Sequence, residues 1–342
     1  MDKTTPVAAI VGGASLLGRE IRDLLAGSPI KTKLIGADEI ETGTLTEEAG
    51  EPVVMTALDE ENLAGARVAF LAGSADSSRK AVEIVRRLNP GPALIDLTYL
   101  LEEHPTAHLR APMVEPAHYA VPPDIEHVIA HPAAILIAVF LVRLSQIAPV
   151  RRSVVHVFEP ASERGQTGID ELHKQTVNLL TFQKLPKDVY DEQVAFNLLA
   201  RYGSEARDSV EKVEARVERH LATLLSINGH LPMPSLRVIQ APVFHGHSAS
   251  LWVEFENNPG VEALEQALGT AQIDVRGAAL DPPNIVGYAG QSGISVGAIA
   301  ADRNDPRAAW FWTVADNVRI MAENAVAVAR SLAGQHGTAR PQ

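Results

Sequence analysis

The sequence predicts an α/β protein of two domains, the first built on a doubly wound parallel sheet. Three observations lead to this prediction. A chain of 342 residues exceeds the usual size of one domain. Through the first 100 residues, short apolar runs alternate with segments of helical periodicity, which is the rhythm of a parallel sheet with crossover helices. A glycine-rich turn joins the first apolar run to the first helical segment.

Four strands and two helices are predicted in this first domain. The strands cover residues 6–11, 33–36, 66–72 and 93–97, one helix begins at residue 17, and the other covers residues 76–88. In the first helix Leu17, Ile21 and Leu25 recur on one face, and Gly27 supplies a stop signal. Five prolines between residues 102 and 126 predict an irregular segment that passes over a surface before the second domain.

The second domain mixes helices with at least two strands. Helices are predicted at residues 134–144, 169–180 and 209–225, strands at residues 154–158 and 251–255, and a closing helix of the chain at residues 316–332. In the last of these strands Leu251 and Val253 alternate with Trp252 and Glu254, so we expect one buried face and one exposed face. The aromatic run at residues 310–312 has two open interpretations, burial at a sheet between the domains or an exposed dimer patch.

Composition excludes several classes of protein and of site. The chain has no cysteine, so it forms no disulfide and no thiolate metal site and offers no cysteine nucleophile. Its 42 acidic and 30 basic residues give a formal net charge of −12, which repels phosphate backbones and anionic membranes. The longest apolar run, residues 133–142, is too short to span a bilayer, and the N-terminus lacks a signal-peptide pattern. We therefore expect a cytoplasmic protein that binds neither nucleic acid nor membrane.

The glycine-rich turn is the candidate nucleotide site, because amides in such a turn and at the following helix start can bind a pyrophosphate. Its candidate contacts are Gly12, Gly13, Ser15, Leu16, Leu17 and Gly18. Ser15 stands where a glycine is usual, and its hydroxyl either contacts a phosphate or caps the helix. Asp38 and Glu39 follow the second strand. A carboxylate at this position can bind a free ribose diol and repels a 2′-phosphate, so it favours NAD over NADP. The alternative is that the two residues belong to a solvated acidic loop and that the glycine-rich turn binds no nucleotide.

Histidines give the remaining candidate site. His245 and His247 lie two residues apart in an expected strand, so their side chains should face the same way. No third ligand accompanies them, and zinc sites need three or four, so no metal site is predicted.

Four segments, in this order, resemble the aspartate-semialdehyde dehydrogenase family over nearly the whole chain. They are residues 128–134, 159–172, 241–248 and 312–319. The stretches around Gln240 and at residues 193–197 are most similar to the cysteine-less Usg-type paralogues of that family. The resemblance implies a Rossmann-like NAD(P)-binding domain, residues 1–130 with 316–342, and an α+β dimerisation domain of the semialdehyde dehydrogenase type, residues 131–315. It also implies a homodimer built on the sheet of the second domain.

That family reduces an aspartyl phosphate, or runs the reverse reaction, through a thioester on a cysteine. Here the matching position of the nucleophile is Ala134, whose methyl group cannot form a thioester. The position of the carboxylate-binding arginine is Gln240, and that of the phosphate-binding arginine is Glu102. Glu159 stands where the family has a glutamine that orients the substrate, and His247 remains as the matching histidine. We therefore expect the family reaction to be absent.

Two hypotheses of different classes follow. The first is a non-catalytic dimeric paralogue with a structural or regulatory role. Whether it binds a nucleotide is left open, and its partner is either a second copy of the chain or an active paralogue. The second is an NAD-dependent oxidoreductase that transfers hydride directly to a carbonyl substrate, with His247 as acid and base and Glu159 as the partner of a substrate amine. For His247 the alternative is an inherited core histidine with a satisfied hydrogen bond, and for Glu159 it is a hydrogen bond to backbone or to Arg164. Asn317, in the fourth segment, is a further candidate cofactor contact.

Overall fold

The structure is a computed structural model that describes residues 5–38, 40–48, 51–119, 121 and 125–334. It divides into two compact units. Unit 1 comprises the described parts of residues 1–112, 117–130 and 321–342, and unit 2 comprises residues 113–116 and 131–320.

Unit 1 carries a six-stranded parallel sheet. Its elements are β1 (Val7–Val11), α1 (Leu16–Leu25), β2 (Lys31–Ile35), β3 (Leu45–Glu48), β4 (Glu51–Val54), α2 (Glu60–Leu63), β5 (Val68–Leu71), α3 (Ala75–Val85), β6 (Ala93–Asp96), β7 (Ala107–Arg110) and β8 (Glu126–Ile129). The strand order is β2-β1-β5-β6-β8-β7, and all five pairings are parallel. The predicted doubly wound parallel sheet is thereby confirmed.

The two longer helices of unit 1 begin at side-chain caps. Ser15 is in an extended conformation and its hydroxyl accepts a hydrogen bond from the Gly18 amide, which starts α1. Ser74 and Ser77 form a reciprocal capping box that starts α3. The buried face of α3, with Ala81 among its residues, packs in the core with β1 and β5.

The proline-rich segment differs from the prediction. Instead of irregular chain alone, it contains β7, which pairs in parallel with β8 at the edge of the sheet. A four-residue strand with two apolar residues, Ala107 and Leu109, has too little pattern to stand out between prolines. The short hairpin of β3 and β4 escaped prediction for the same reason.

Unit 2 contains a six-stranded mixed sheet and several helices. Its elements are α4 (Pro132–Ile147), β9 (Val150–Glu159), α5 (Gly165–Leu180), α6 (Val210–Ser226), β10 (Ser235–Gln240), β11 (His247–Phe255), α7 (Val261–Leu268), β12 (Ile273–Arg276), α8 (Ile285–Tyr288), β13 (Ile294–Ala301), β14 (Ala308–Ala315) and α9 (Asn317–Gly334). The last helix continues into unit 1. The strand order is β10-β9-β11-β14-β13-β12, and a 3-10 turn at residues 161–164 links β9 to α5.

Helix α4 is the centre of the unit 2 core. Its residues 132–141 are all apolar and all buried, whereas Arg143 and Gln146 near its end are not buried. Phe140 packs edge-on against Phe311 of β14, with ring centroids 5.0 Å apart. Among the helices of the described residues, none is both long enough and apolar enough to cross a membrane.

Strand β11 shows the predicted alternation with one exception. Leu251, Val253 and Phe255 are buried and Trp252 is half-buried, but Glu254 is buried rather than exposed. Its carboxylate contacts three arginine side chains, those of Arg151, Arg152 and Arg307. Charge pairing from neighbouring strands therefore overrides the simple alternation. Of the aromatic run, Phe311 is buried within unit 2, Trp312 is half-buried and Trp310 is exposed.

Candidate functional site

The candidate site of unit 2 lies at one edge of its sheet, where three predicted residues share a register row. Gln240 of β10 is paired with Glu159 of β9. The antiparallel pairing of Ser248 with Phe158 places His247 of β11 beside Glu159. The side chains of Gln240, Glu159 and His247 are all buried, on the face of the sheet against which α4 packs. The structure therefore brings together three of the residues singled out in the sequence.

Gln240 is committed to structural hydrogen bonds. Its amide nitrogen donates to the carbonyl oxygens of Glu159 and Ala241, at 2.9 and 3.1 Å. Its amide oxygen accepts from the Tyr202 hydroxyl at 2.7 Å. Both ends of the amide are thus used inside the protein, and the side chain is fully buried.

Glu159 forms an ion pair with Arg164, one of the two alternatives that the sequence left open. Its Oε1 accepts from Arg164 Nη2 at 2.6 Å, and Arg164 also donates to Asp208 at 2.9 Å and to Tyr202 at 3.4 Å. Burial raises the pKa of the Glu159 carboxyl, and the Arg164 charge opposes that rise. Burial alone would lower the pKa of Arg164, but Glu159, Tyr202 and Asp208 raise it, so the guanidinium stays charged.

Glu163 lies between two histidines in the 3-10 turn that follows β9. One carboxylate oxygen is 3.4 Å from His131 Nε2, and the other is 4.0 Å from His247 Nε2. The second oxygen also accepts from Asn317 Nδ2 at 2.7 Å. Burial, followed by the charge of Glu159, raises the pKa of Glu163 to about 7. This carboxyl group therefore titrates near neutral pH.

His247 and Glu159 have polar atoms without hydrogen-bond partners among the described residues. These atoms are both ring nitrogens of His247 and Oε2 of Glu159. Each of the two side chains is only 1% exposed. Burial lowers the pKa of His247 to about 3, so its imidazole is neutral at physiological pH.

His245 does not accompany His247, contrary to the expectation from their spacing. Strand β11 begins at His247, whereas His245 lies before it and is exposed. Gly246 between them has a φ of +85°, which breaks the extended backbone and removes the two-residue alternation. Within the ranges that the structure describes, no group of three or more His, Asp or Glu side chains is arranged to hold a metal ion.

The buried start of α4 lies under this edge of the sheet. His131 Nδ1 accepts from the Ala133 amide at 3.2 Å and caps the helix, and its ring lies 5.9 Å from that of His247. Burial, followed by the neighbouring histidine and arginine charges, lowers the pKa of His131 well below its usual value. Ala134 is fully buried in the first turn of α4. Its methyl group offers no polar atom to this site.

Asn317 joins the same cluster within unit 2. Its side-chain oxygen accepts from the Gly246 amide at 2.9 Å and from the Ser162 hydroxyl at 3.1 Å. Together with its bond to Glu163, these contacts orient the amide toward the 3-10 turn and the start of β11.

The glycine-rich turn lies in unit 1, where internal packing explains most of its sequence. Gly12 has a φ of +85°, and a Cβ there would stand 2.4 Å from Gly73 Cα. A Cβ at Gly18 would stand 2.1 Å from the Gly12 carbonyl oxygen. The Ser15 hydroxyl donates to the Ala72 carbonyl at 2.7 Å while it caps α1.

The remaining groups of the turn fit a nucleotide in part. The amides of Gly12 and Gly13 donate to the Ile35 carbonyl. Those of Leu16 and Leu17 begin α1 and, among the described residues, have no backbone acceptor. They are the donors of this turn that a pyrophosphate could use.

The predicted acidic positions of unit 1 are also located. Asp38 is exposed after β2, and its Oδ1 accepts from the amides of Ile40 and Glu41, both at 2.9 Å. Glu39 lies outside the described residues. Glu102 follows β6 in a turn, half-buried, and its charge helps to raise the pKa of the buried Asp96, for which burial is the main cause.

Two residues of the unit 2 site were not identified from the sequence as functional. Glu163 and His131 stand within segments that carried the resemblance, but nothing in their spacing connects them. Three elements must meet before Glu163 lies against both His131 and His247. The one available signal was that Glu163 and Arg164 follow Glu159 within a short polar stretch.

Comparison with known proteins relates this site to a family. The family model described as the semialdehyde dehydrogenase dimerisation domain matches residues 141–320 of this sequence. An aspartate-semialdehyde dehydrogenase from Rickettsia bellii is 26% identical over 340 residues, covering 95% of this chain and 96% of that relative. A USG-1 protein homolog from Pseudomonas aeruginosa is 30% identical over 281 residues, covering 77% of each chain.

Solved structures agree with these matches. A probable aspartate-semialdehyde dehydrogenase from Pseudomonas aeruginosa superposes with a TM-score of 0.84 at 27% identity, covering 97% of this chain and all of that one. An aspartate semialdehyde dehydrogenase with NADP from Candida albicans shares the fold, with a TM-score of 0.66 at 16% identity, covering 96% of this chain and 98% of that one. With the matched dimerisation domain spanning more than half of its length, the chain belongs to the aspartate-semialdehyde dehydrogenase family.

Proposed function

We propose that this chain is an aspartate-semialdehyde dehydrogenase-like protein that does not perform thioester chemistry and acts as a non-catalytic, ligand-binding homodimer. The observation that carries the proposal is the absence of cysteine from the sequence, with a buried Ala134 at the position expected for the nucleophile. A thioester needs a thiolate, and no other side chain in the chain can replace it in that role. A cytoplasmic location is part of the proposal.

The hydrogen bonds of Gln240 and Arg164 support the proposal further. Gln240 stands where an arginine would bind the substrate carboxylate, and its amide is already used by Glu159, Ala241 and Tyr202. Arg164 is already paired with Glu159 and Asp208. Charge-assisted hydrogen bonds to an anionic substrate contribute about 1.5–3 kcal/mol each, so their loss weakens binding of a dianion severely.

A direct assay tests this proposal. The purified full chain is incubated with aspartate semialdehyde, phosphate and either NAD or NADP, and reduced nucleotide is followed by absorbance. We expect no turnover above background, while an active aspartate-semialdehyde dehydrogenase measured in parallel turns over. The A134C variant should stay inactive, because a thiol alone does not restore the anion-binding groups. Phosphate-dependent turnover by the unmodified chain would contradict the proposal.

We infer that unit 1 is the nucleotide-binding domain expected at residues 1–130 with 316–342 and that it binds NAD in preference to NADP. The amides of Leu16 and Leu17 are the donors available to a pyrophosphate, and Asp38 supplies a carboxylate for the ribose diol. When bound, the nucleotide would supply or accept a hydride. Asn317, the further candidate contact from the sequence, lies in unit 2, where its side-chain amide is bonded to Gly246, Ser162 and Glu163.

Calorimetric titration with NAD, NADH, NADP and NADPH tests this assignment. We expect saturable binding that is tighter for NAD than for NADP, and D38S should narrow that difference because it removes the carboxylate that repels a 2′-phosphate. The D59S variant, which alters an acidic helix cap elsewhere in unit 1, is the control. No binding at millimolar nucleotide would contradict the assignment.

We also propose that the homodimer forms through unit 2, the dimerisation domain expected at residues 131–315. The sheet face away from α4 carries Phe158, Trp252, Trp310 and Trp312, which are half-buried or exposed. Apolar aromatic surface of this kind is enriched at protein interfaces. A mixed dimer with an active paralogue would use the same face.

A second candidate function is favoured by the state of His247. Its two unpartnered ring nitrogens and the adjacent Glu163 are groups that can hold and move a proton. They suit an NAD-dependent oxidoreductase acting on a carbonyl substrate, for which no thiol is needed. In a screen of carbonyl substrates, H247N should abolish any turnover while nucleotide affinity is unchanged. Unchanged turnover in H247N would exclude His247 as the acid.

A further inference from the structure

Two neighbouring buried side chains in the unit 2 sheet, those of Glu159 and His247, each have polar atoms without a hydrogen-bond partner among the described residues. Oε2 of Glu159 and both ring nitrogens of His247 have no hydrogen-bond partner among the described residues, and both side chains are 99% buried. The two residues are cross-strand neighbours on the same face. Leaving such groups unpaired costs free energy, and two adjacent cases indicate a binding position rather than an isolated packing defect.

The unpartnered atoms at this position favour a hydrogen-bond donor. Glu159, Glu163 and Asp208 supply three carboxyl groups at the cluster. Arg164 is paired with two of them, and each of its three guanidinium nitrogens already donates to Glu159, Asp208 or Tyr202. His131 and His247 are both neutral, because burial lowers the pKa of each. Arg216 adds a second positive charge near Glu159 and Glu163, so the preference for a cationic donor rests on the unpartnered acceptors, Glu159 Oε2 and one nitrogen of the neutral His247, and not on net charge.

We propose that the position bordered by Glu159, Glu163 and His247 binds the primary ammonium group of a ligand rather than a phosphate or carboxylate group. An ammonium group has three donors, and Glu159 Oε2, one His247 nitrogen and a Glu163 oxygen supply three acceptors. The Glu163 and His247 atoms are 4.0 Å apart, which is too far for a mutual hydrogen bond but within reach of a shared donor. This assignment of the ligand class rests on the proposed function, a ligand-binding protein without thioester chemistry.

Binding of a cation here is coupled to a proton. The pKa of Glu163 is raised to about 7, so below neutral pH the group is largely protonated and must ionise to pair with an ammonium ion. The titratable and charged groups that face it come from every surrounding element, namely His131, Glu159, Arg164, Arg216 and His247. Because the histidines stay neutral and Glu159 is ion-paired with Arg164, Glu163 is the group that releases the proton.

Three probes that share a four-carbon chain and differ in their charged group test the ligand class. The full chain is titrated calorimetrically with n-butylamine, butyrate and butyl phosphate. We expect saturable binding of the amine, at least tenfold tighter than binding of either anion. E159Q should weaken amine binding at least tenfold, whereas E192Q, which alters a partly exposed carboxylate outside the cluster, should leave it unchanged.

Proton counting gives a second, independent readout. Amine titrations at pH 6 in buffers of different ionisation enthalpy should show proton release, and E163Q should abolish that release. This measurement and the comparison of the three probes still decide the question if E159Q fails to fold. Tighter or equal binding of butyl phosphate, equal amine affinity in E159Q, or no amine binding at all would overturn the inference. None of these results bears on the assay for phosphate-dependent turnover, so the failure of either proposal is recognised separately.

Discussion

At the scale of single residues, Gln240 illustrates how a position expected to bind a ligand can serve the structure instead. Its amide links β9, the following Ala241 and the Tyr202 hydroxyl in one buried network. The spacing to His247 identified the position from the sequence. The sequence could not show that the amide is used on both ends, because Tyr202 approaches from a distant loop.

The Q240A variant should therefore lose stability rather than only a binding group. Removal of the amide leaves the buried Tyr202 hydroxyl without its acceptor and deletes two donated hydrogen bonds. We expect a loss of about 2–3 kcal/mol in the free energy of unfolding, measured by urea denaturation. The matched control is Q266A, whose exposed side chain contacts Glu262 and should change stability by less than about 0.5 kcal/mol. Equal effects in the two variants would contradict a structural role for Gln240.

Glu163 should make the protein less stable as the pH rises. Its pKa in the folded chain is about 7, above the value near 4.5 for an unperturbed carboxyl, so the folded state binds the proton more tightly. The resulting stabilisation is complete below about pH 4.5 and is lost as the pH rises through 7, which amounts to about 3 kcal/mol.

The E163Q variant removes this titration. It should be more stable than the unmodified chain at pH 8, and the difference should shrink toward pH 5, as measured by thermal unfolding in matched buffers. As the control, E192Q should leave the pH dependence unchanged, because its carboxylate is partly exposed and outside the cluster. A pH-independent difference between E163Q and the unmodified chain would show that Glu163 does not titrate in this range.

At the scale of elements, strong local patterns predicted the longer helices and strands β1, β2, β5, β6, β9 and β11, but β10, β13 and β14 of the unit 2 sheet were not predicted. The apolar run of α4 was evident, but the helix begins at Pro132 rather than at residue 134. The earlier start depends on the imidazole of His131 as the cap and on proline in the first turn, a position that favours it. Cap chemistry of this kind is visible only once the side chain is placed.

The elements also explain why part of the site could not be predicted. Motif spacing identified Glu159 and His247, and their pairing across β9 and β11 follows from strand register. The role of Glu163 requires the end of β9, the start of α4 and the start of α9 to meet at one carboxyl group. Such a three-way contact leaves no periodicity in the sequence.

The packing of α4 should be a main source of stability in unit 2. Phe140 is fully buried and contacts Phe311 edge-on. F140A should lower the free energy of unfolding by about 3–5 kcal/mol, because it removes the ring and leaves a cavity. The control, L180A, alters a side chain that is 70% exposed at the end of α5 and should have an effect near zero. Denaturant unfolding followed by tryptophan fluorescence measures both, and a small loss in F140A would indicate that the core repacks.

At the scale of the whole molecule, the two faces of the unit 2 sheet carry different groups: a helix packs on one face, and paired tryptophan side chains lie on the other. Helix α4 packs on the face that includes Phe311. On the other face Trp252 and Trp310 are paired across β11 and β14, and both indole nitrogens donate to Asp302. The two rings are therefore held in place on this face. An ordered aromatic surface is suited to association with a second copy of the chain.

The W310K variant tests that association. Trp310 is 38% exposed, and a lysine there keeps a partner in Asp302 while it places a charge in the proposed interface. Sedimentation velocity over a range of concentrations should show a dimer for the unmodified chain and a dissociation constant at least about 30-fold higher for W310K, since a buried tryptophan at an interface contributes about 2–4 kcal/mol. F182K, which alters a 98% exposed side chain just beyond α5, should remain dimeric. A monomeric unmodified chain, or a W310K dimer of unchanged affinity, would contradict this face as the site of dimerisation.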